Sequence, residues 1–363
     1  MNQAIAARRL HNQRLAAAKG RSPAAVVAWQ GAVQAQEFGP ARWALALRLP
    51  DGWSDARIAR AFDQGRILRT HVLRPTWHFV TPADIRWMLA LTAPRIHLRM
   101  APYNRHLELD ARLFTRAAGV IERALAGGRF LTRQELRAAL ERARIQAGSQ
   151  RLAHIVMHAE LEQIVCSGPR RDRQFTYALL ADRAPDARPL PRDDALARLA
   201  KRYFQSHGPA TVRDFVWWSG LTTADAKRGL DMNRARAETI DGLTYWTLYG
   251  TPGPGDAPAA HLLPIYDEYL VAYRDRAAVP HGPAVLRSFA GPVTFQHALI
   301  AGGQVAGTWR SGDERGAVAA EVLPLRRLTP AGRSAVEAAA LRYGRFLGVP
   351  VTLRFARRAA GAV

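Results

Sequence analysis

Three segments of the chain repeat one order of secondary-structure signals, and this order limits the folds open to it. Residues 22–80, 110–181 and 190–249 each contain helical runs with a helix-capping signal, followed by two short β-type runs. Ser22 and Ser54 predict helix starts in the first segment, and Asp241-Gly242 predicts a hairpin turn in the third. In the second segment, Thr132 and Glu135 have the spacing of a capping box, in which side chains and backbone bond reciprocally at a helix start. Helices followed by a hairpin are the plan of a winged helix-turn-helix, which can hold a DNA duplex with a recognition helix and a wing.

The chain changes character after a Pro/Gly-rich connector at about residues 250–260. Beyond it, strand-like apolar runs predominate, and the run around Tyr266–Tyr269 is one of them. We therefore predict an α+β protein, built from tandem winged helix-turn-helix units with a small, β-rich C-terminal α+β domain. The predicted boundaries are 1–110 for the first unit, which carries a Gln-x-Gln motif, 111–188 for the second, 189–250 for the third and 261–363 for the C-terminal domain.

The chain has a formal net charge of +22, with 52 basic against 30 acidic residues. Such an excess favours a polyanionic partner, with nucleic acid as the leading candidate; a solvated basic surface without a ligand is the alternative. No apolar run reaches the ~20 residues needed to cross a bilayer, so we predict no membrane partner. Cys166 is the single cysteine, which excludes a disulfide within the chain and suits a reducing cytoplasm.

Two glutamines, Gln34 and Gln36, lie in an otherwise apolar run. In an extended segment, side chains at i and i+2 point to the same side, so both amides would face one space. Because a buried amide without partners is destabilising, the two side chains are either satisfied by backbone groups or line a solvent-accessible cavity. The spacing alone leaves both alternatives open.

Six stretches of the chain resemble the winged-helix DNA glycosylases of the AlkZ and YcaQ type. They occur in the family's order and cover most of the chain: VQAQ at 33–36, LRPTWHFV at 73–80, MHAELEQIVCSGPRRDRQFTYALL at 157–180, SHGPATVRDFVWWSGL at 206–221, LLPIYDEYLVAYRDR at 262–276 and GTWR at 307–310. The resemblance implies tandem winged helices bent into a basic, concave DNA-binding surface. It also implies removal of alkylated bases, including the unhooking of interstrand crosslinks made through N7 of guanine.

The resemblance assigns catalysis to a Gln-x-Gln motif in the AlkZ branch, whereas the YcaQ branch has Gln-x-Asp. This chain has Gln34-Ala35-Gln36 and so resembles the AlkZ branch, which implies that Gln34 and Gln36 are catalytic. Glu37 follows directly, departs from the pattern and offers a carboxylate that could line the site. An N7-alkylguanine is already cationic and leaves as a neutral base, so the enzyme has little need of a general acid. What remains is to place a water and to stabilise positive charge on the sugar, which an amide oxygen can do.

A second set of candidate residues follows the first predicted hairpin. Arg74, Thr76 and His78 alternate along a predicted strand on one face, where they either line the same cavity or belong to a wing with a phosphate-contacting arginine. His154 and His158 have an i, i+4 spacing that can bind zinc. No third ligand is evident, so we predict no metal, and we assign His158 to core packing or to a nucleic-acid contact.

Two further clusters complete the candidate site. Arg170, Arg171 and Arg173 form the basic tip of the second predicted hairpin and are predicted to contact DNA. Tyr266, Asp267 and Glu268 form an acidic, aromatic group in a basic chain, and either seal a domain contact or line the site.

These observations predict a monofunctional DNA glycosylase that needs no cofactor. Its predicted partner is double-stranded DNA carrying alkylated or crosslinked bases, and the protein is predicted to be a cytoplasmic, nucleoid-associated monomer. The alternative is a non-catalytic winged-helix regulator. Such a regulator does not require Gln34-Ala35-Gln36, and it usually has a dimerisation element to match a palindromic site, which this sequence lacks.

Overall fold

The computed structural model describes residues 2–18, 20–248, 259–275, 279, 296–325 and 327–356. Most of the predicted connector at 250–260 lies outside these residues. The described chain is a mixed α+β protein. In that part of the chain, no helix combines the length and the apolar character that a membrane span requires.

The first segment contains a small sheet between helices. Ser22 and Ser54 accept hydrogen bonds from the first turns of α2 and α4, which confirms both predicted helix starts. The sheet has the order β1-β3-β2 and is antiparallel throughout. The elements are α1 (Asn2–Asn12), α2 (Pro23–Gln30), β1 (Val33–Gln34), α3 (Phe38–Ala46), α4 (Asp55–Asp63), β2 (Leu68–His71), β3 (Trp77–Val80) and α5 (Pro82–His106).

The second segment again combines helices with a three-stranded sheet. The capping box of Thr132 and Glu135 is present at the start of α7, as predicted. The sheet has the order β4-β6-β5. The elements are α6 (Ala111–Leu125), β4 (Leu131–Thr132), α7 (Arg133–Arg142), α8 (Ser149–Leu161), β5 (Val165–Ser167), β6 (Thr176–Leu179) and α9 (Leu180–Arg183).

The third segment is a set of helices closed by one hairpin. Asp241 and Gly242 turn the hairpin with φ of 50° and 76°, the left-handed conformations that a two-residue turn of this type needs. The predicted hairpin is therefore confirmed. The elements are α10 (Arg192–Ser206), α11 (Val212–Ser219), α12 (Thr223–Met232), β7 (Arg236–Ile240) and β8 (Leu243–Thr247).

The C-terminal segment is built on a five-stranded sheet of order β13-β12-β11-β10-β9. Strands β12 and β13 are parallel and the other pairs are antiparallel. The strand predicted around Tyr266–Tyr269 is wrong, because Asp267 accepts a hydrogen bond from Tyr269 N and starts a short helix there. The elements are β9 (Ala260–Leu263), α13 (Glu268–Val271), β10 (Ala298–Ala301), β11 (Gln304–Glu314), β12 (Ala317–Pro324), α14 (Pro330–Leu347) and β13 (Val351–Phe355).

Two of the hydrophobic clusters join segments that are distant in sequence. One cluster combines β1, α3 and α4 with the C-terminal sheet and α14, and the Trp43 indole donates to the Leu262 carbonyl across it at 2.7 Å. A second cluster combines β2, β3 and α5 with α10, α11 and α12. Strand β1 belongs to the first cluster through Val33, and the preceding Ala32 belongs to the second. Glu268 from the C-terminal segment also reaches β1, at Gln34.

Candidate active site around Gln34 and Gln36

Gln34 and Gln36 lie on a short non-helical segment. Gly31 ends α2 with a φ of 83°, a left-handed conformation that glycine adopts without strain. The chain then pairs with β3 over Val33 and Gln34 and leaves the sheet before α3 begins at Phe38. We call residues 34–36 the Gln-x-Gln segment.

Buried polar groups hold the backbone of this segment from two sides. The Glu268 Oε1 atom accepts from the Gln34 amide N–H at 2.8 Å. On the other side, Arg69 donates from Nε to the Ala35 carbonyl at 2.9 Å and from Nη2 to the Gln36 carbonyl at 3.2 Å. Because each contact fixes a main-chain atom, the position of both glutamine side chains depends on residues far away in sequence.

The two amide side chains bond to neighbouring parts of the chain, Gln34 to the turn between β2 and β3 and Gln36 to the first residue of β3. Gln34 is buried, with 6% of its surface exposed, and its Oε1 accepts from Arg74 Nη2 at 2.9 Å. Gln36 is half-buried, and its Oε1 accepts from the Trp77 amide N–H at 3.4 Å. The backbone alternative left open by the sequence therefore accounts for the Gln36 oxygen, and an arginine accounts for the Gln34 oxygen.

The turn between β2 and β3 differs from the predicted strand. Leu73 has a φ of 65°, and successive tight turns join Arg74 N to the Val72 carbonyl and Thr76 N to the Arg74 carbonyl, each at 2.7 Å. The predicted alternation of Arg74, Thr76 and His78 on one strand face is therefore wrong. Only His78 of the three lies on β3, because two i→i+2 turns displace the preceding residues from the sheet.

His78 pairs with Gln34 across the sheet but is fully buried. Its Nδ1 atom lies 2.9 Å from the Thr76 carbonyl. Burial, assisted by the positive charge of Arg74, lowers the pKa of His78 to about 3, so its imidazole is neutral at physiological pH. The interpretation of His78 as a nucleic-acid contact is wrong in this arrangement, since a phosphate has no access to the ring.

Glu268 is a fully buried carboxylate directly behind the Gln-x-Gln segment. Besides the Gln34 amide, it accepts from the Trp218 indole N–H at 2.9 Å, and its Oε2 lies 3.4 Å from His207 Nε2. Burial alone would raise the pKa of Glu268, but His207 and the Gln34 N–H hold that pKa below its ordinary value. For the His207 imidazole, whose charged form is a cation, burial lowers the pKa. At neutral pH the pair is therefore a charged carboxylate beside a neutral imidazole.

The two neighbours of Glu268 have different roles. Asp267 is buried in a two-bond ion pair with Arg48, at 2.8 and 2.9 Å, so its interpretation as a site-lining residue is wrong. Tyr266 is half-buried with a φ of 62°. Burial and then the charge of Glu37 raise the pKa of Tyr266, which indicates that Tyr266 and the exposed Glu37 lie near each other at the edge of the site.

The predicted basic tip between β5 and β6 is divided among separate contacts. Arg170 donates from Nε and Nη2 to the carboxylate of Asp63, at 3.1 and 2.8 Å, and so attaches the hairpin to α4. Arg171 is exposed and pairs with Glu135 at 2.8 Å. Arg173 is exposed and forms no ion pair with the described residues. Of the three, Arg173 is the arginine most available to a ligand, and Arg170 is the least.

His158 lies away from this site, on α8. Its ring stacks on Phe114 with centroids 3.8 Å apart, and burial followed by the neighbouring His97 lowers the pKa of His158 to about 4. Of the two roles predicted for His158, core packing or a nucleic-acid contact, the structure therefore shows the packing contact. His154, one turn earlier, has its Nδ1 atom 2.7 Å from Asn104 Oδ1.

Sequence reasoning missed Arg69, and it missed the hydrogen bond that the Trp218 indole donates to Glu268. Arg69 is the one charged residue within the apolar run ILRTHVL, and this was a usable signal, because a buried arginine needs specific acceptors. Its guanidinium lies over the rings of Trp77 and Phe175, at 4.2 and 4.7 Å, and burial lowers the pKa of Arg69 to about 10. It is therefore still a cation at neutral pH.

A basic pocket opens on the far side of the Arg74 turn. Its volume is about 280 Å³. Arg74 thus joins the buried Gln34 amide to an accessible, positively charged surface. The pocket is lined by Leu73, Arg74, Pro75, Arg95, Ile96, Leu98, Arg99 and Gly220.

Comparison with known proteins gives a consistent result. Residues 27–346 match the family described as DNA glycosylase AlkZ-like. An interstrand DNA cross-link repair glycosylase from Streptomyces sahachiroi is 27% identical over 209 residues; the match covers 53% of this chain and about half, 53%, of that protein. The solved structure of Streptomyces sahachiroi DNA glycosylase AlkZ has the same fold, with a TM-score of 0.81 at 21% identity over 98% of this chain and 99% of the other.

Proposed function

The chain belongs to the AlkZ-like DNA glycosylase family, and from this premise we propose that it hydrolyses the N-glycosidic bond of alkylated bases in double-stranded DNA. The proposed substrates are N7-alkylguanine and interstrand crosslinks made through that atom, which the enzyme would unhook. The observation that carries the proposal is the Gln-x-Gln segment, which Glu268 and Arg69 hold and whose two amide oxygens accept from Arg74 and from Trp77, three residues apart.

We also propose that the helices and small sheets form tandem winged helix-turn-helix units. The units would span residues 1–110, 111–188 and 189–250, followed by an α+β domain at 261–363. In each of the first three, helices precede a hairpin of the described chain. The charge of +22 supports DNA binding that is largely independent of sequence and weakens with salt.

The chemistry assigned to Gln34 and Gln36 follows from the leaving group. An N7-alkylated guanine departs as a neutral base, so the barrier lies in forming positive charge on the sugar and delivering a water to it. A carboxamide oxygen has two lone pairs. The Gln34 oxygen uses one of them for Arg74, and the other can accept a hydrogen bond from the water. The amide thereby places the nucleophile without taking its proton fully.

Arg74 would connect this chemistry to DNA binding. Its guanidinium bonds the Gln34 oxygen and also lines the basic pocket with Arg95 and Arg99. A DNA phosphate in this pocket would neutralise the local positive charge. That neutralisation matters, because a net positive charge beside the site would oppose a cationic transition state.

Glu37 is the rival for the water-placing role. It is exposed, begins α3 without a side-chain capping bond, and lies near Tyr266. A carboxylate could accept a proton from water more fully than an amide. Its exposed position nevertheless leaves it solvated, whereas Gln34 is buried and oriented by a charged donor. The geometry therefore favours the glutamines.

Single-turnover excision from N7-methylguanine duplex and from a crosslinked duplex tests the proposal. We expect Gln34→Ala and Gln36→Ala to lower the excision rate on the order of 10²-fold with DNA affinity nearly unchanged, because binding depends on many phosphate contacts. Gln30→Leu, which changes a buried glutamine of α2 outside the site, is the matched control and should retain the wild-type rate.

The same experiment separates the alternatives. Full activity in both glutamine variants with loss in Glu37→Gln would move the chemistry to the carboxylate. Binding of duplex DNA by the wild type without excision of any alkylated base would favour the non-catalytic regulator.

A further inference from the structure

Three potential metal ligands meet where α5 packs against α8, outside the candidate active site. They are His97 from α5, His158 from the last turn of α8 and Glu162, the residue that ends α8. One ligand atom from each lies within 4.8 Å of the other two. The sequence showed His158 with no evident third ligand, because His97 is 61 residues earlier and is brought to it only by the packing of the two helices.

The geometry of the cluster is close to that of a chelating site. His158 and Glu162 are four residues apart, which places both side chains on one face of α8. The ring of His158 is held by its stack on Phe114, at 3.8 Å and an angle of 9°. His97 Nε2 lies 2.8 Å from Glu162 Oε1, and the two imidazole centroids are 5.1 Å apart. The ligands therefore come from two helices and are positioned before any ion arrives.

Small side-chain rotations suffice to bind an ion. Zinc bonds of about 2.0–2.2 Å in a tetrahedral arrangement place ligand atoms roughly 3.3–3.5 Å apart. In this cluster one pair is closer than that, at 2.8 Å, and no pair is farther than 4.8 Å. The required shifts are therefore about 1 Å, and the partial exposure of all three side chains leaves space for a water in the fourth position.

We propose that His97, His158 and Glu162 bind a divalent transition-metal ion such as Zn²⁺, which links α5 to α8. Two imidazoles select Zn²⁺, Co²⁺, Ni²⁺ or Cu²⁺ over the oxygen-preferring Mg²⁺ and Ca²⁺. Only one of the three ligands is negatively charged, and two neutral imidazoles supply the other bonds. The link would also fix the part of α5 that carries Arg95 and Arg99, the residues of the basic pocket on either side of His97.

The simpler arrangement is an ion pair between His97 and Glu162 with no metal. The two arrangements differ in what they require of His158, which has no part in the ion pair but is a ligand in the metal site. They differ also in ion selectivity, because an ion pair gives no preference for Zn²⁺ over Mg²⁺.

The test uses the full-length protein without a histidine tag, freed of metal by a chelator. Calorimetric titration with Zn²⁺ should show one saturable site. Co²⁺ should bind with the visible absorption of a tetrahedral N/O complex, and added Mg²⁺ should not displace the bound Co²⁺. His97→Gln, His158→Gln and the exposed Glu162→Gln should each weaken Zn²⁺ binding by at least roughly ten-fold. His154→Gln, on the same helix but outside the cluster, is the control and should bind as the wild type does.

Folding stability provides an independent measurement. At a Zn²⁺ concentration of about 100 times Kd, the folding equilibrium constant should rise about 100-fold in the wild type and in His154→Gln, but not in Glu162→Gln. The proposal would be overturned by the absence of saturable binding. It would equally be overturned if the three ligand variants bind Zn²⁺ as tightly as the control, since the ion would then be held adventitiously by other surface histidines.

Discussion

Glu268→Gln removes the charge of a buried side chain that accepts one hydrogen bond on each oxygen, from the Gln34 amide at Oε1 and from the Trp218 indole at Oε2. A carboxylate can accept both, because each oxygen is an acceptor. A carboxamide has one oxygen and one NH₂ group, so it can accept from only one of these donors. The remaining donor, either the Gln34 N–H or the Trp218 indole N–H, then faces the NH₂ group of the introduced glutamine in a fully buried place.

The size of the effect can be estimated from these contacts. A buried donor left without an acceptor lowers the free energy of unfolding by about 1–3 kcal/mol. If the lost bond is the one to Gln34, the Gln-x-Gln segment is free to shift, and a displacement of about 1 Å at a reacting group costs on the order of 10²-fold in rate. We therefore expect Glu268→Gln to lower single-turnover excision by roughly 10- to 100-fold, with DNA affinity within about two-fold of wild type, because Glu268 is buried away from any phosphate.

Trp218→Phe is the matched control. It removes the other donor to Glu268 and also truncates a buried side chain, so it should destabilise the protein comparably by urea unfolding. The bond from Gln34 to Glu268 remains, and the excision rate should stay within a few-fold of wild type by the same reasoning. In the double variant the single amide oxygen of residue 268 has only Gln34 to serve, so part of the lost excision rate should return.

A purely structural role for Glu268 predicts a different pattern. In that case Glu268→Gln and Trp218→Phe would lower stability and excision in the same proportion, and the double variant would be slower than either single variant. That result, at a temperature where urea unfolding shows all variants to be folded, would refute the positioning role.

Arg173→Ala should weaken duplex binding and lower the slope of log affinity against log salt concentration by about one. Arg170→Ala should instead lower the free energy of unfolding, because Asp63 holds that guanidinium. Equal slopes for the two variants in a salt series of fluorescence anisotropy would contradict this. Arg69→Lys keeps the charge but replaces the two guanidinium nitrogens that bond the two carbonyls of the Gln-x-Gln segment by a single ammonium without their fixed planar geometry. We expect single-turnover excision to fall roughly ten-fold, with unchanged rates as the contrary result. Burial lowers the pKa of His261 to about 4 in the folded protein, whereas the same histidine has a pKa of about 6.5 in the unfolded chain. The unfolded chain therefore takes up this proton first, so the contribution of the neutral His261 to stability is present above pH 6.5 and is lost as the pH falls towards 4. His261→Leu should therefore reduce the fall in unfolding free energy between pH 7.5 and 5.5 by about 1.3 kcal/mol, and an unchanged pH profile in urea unfolding would be the opposing result.

Local chemistry explains which parts of the fold could be read from the sequence. Ser22, Ser54 and the Thr132–Glu135 pair act on N–H groups within three residues of themselves, so their signals do not depend on the rest of the chain. The Asp241-Gly242 turn is equally local, since its requirement is a left-handed backbone. These predictions were confirmed for that reason.

Long-range contacts explain where the sequence was misleading. The strand-like content around Tyr266–Tyr269 gave way to a helix because Asp267 both caps Tyr269 and binds Arg48, 219 residues away. The alternation expected from Arg74 to His78 failed because Leu73 adopts a left-handed conformation, which nothing in its own side chain requires.

The candidate site was only partly accessible to sequence reasoning, for the same reason. The spacing of Gln34 and Gln36 marked the segment, but the groups that position it are Arg69 and Glu268, and Glu268 is 234 residues from Gln34. No local pattern distinguishes Glu268 from Asp267. The structure does, because one carboxylate faces the Gln-x-Gln segment and the other faces an arginine.

This difference between neighbouring carboxylates has an electrostatic consequence. The charge of Asp267 is balanced by Arg48, whereas the described partners of the Glu268 carboxylate are the Gln34 amide, the Trp218 indole and a His207 ring whose pKa is lowered by burial. A negative charge that is not neutralised by a cation stabilises positive charge developing nearby, and does so more strongly in a buried place. If the sugar becomes cationic beside Gln34, Glu268 contributes through its charge as well as through its hydrogen bond. Glu268→Asp separates the two contributions, because it keeps the charge but shortens the reach to the Gln34 N–H. A single-turnover rate for Glu268→Asp above that of Glu268→Gln, at equal DNA affinity, would assign part of the effect to charge; a rate equal to or below it would leave the hydrogen bond as the whole of the contribution.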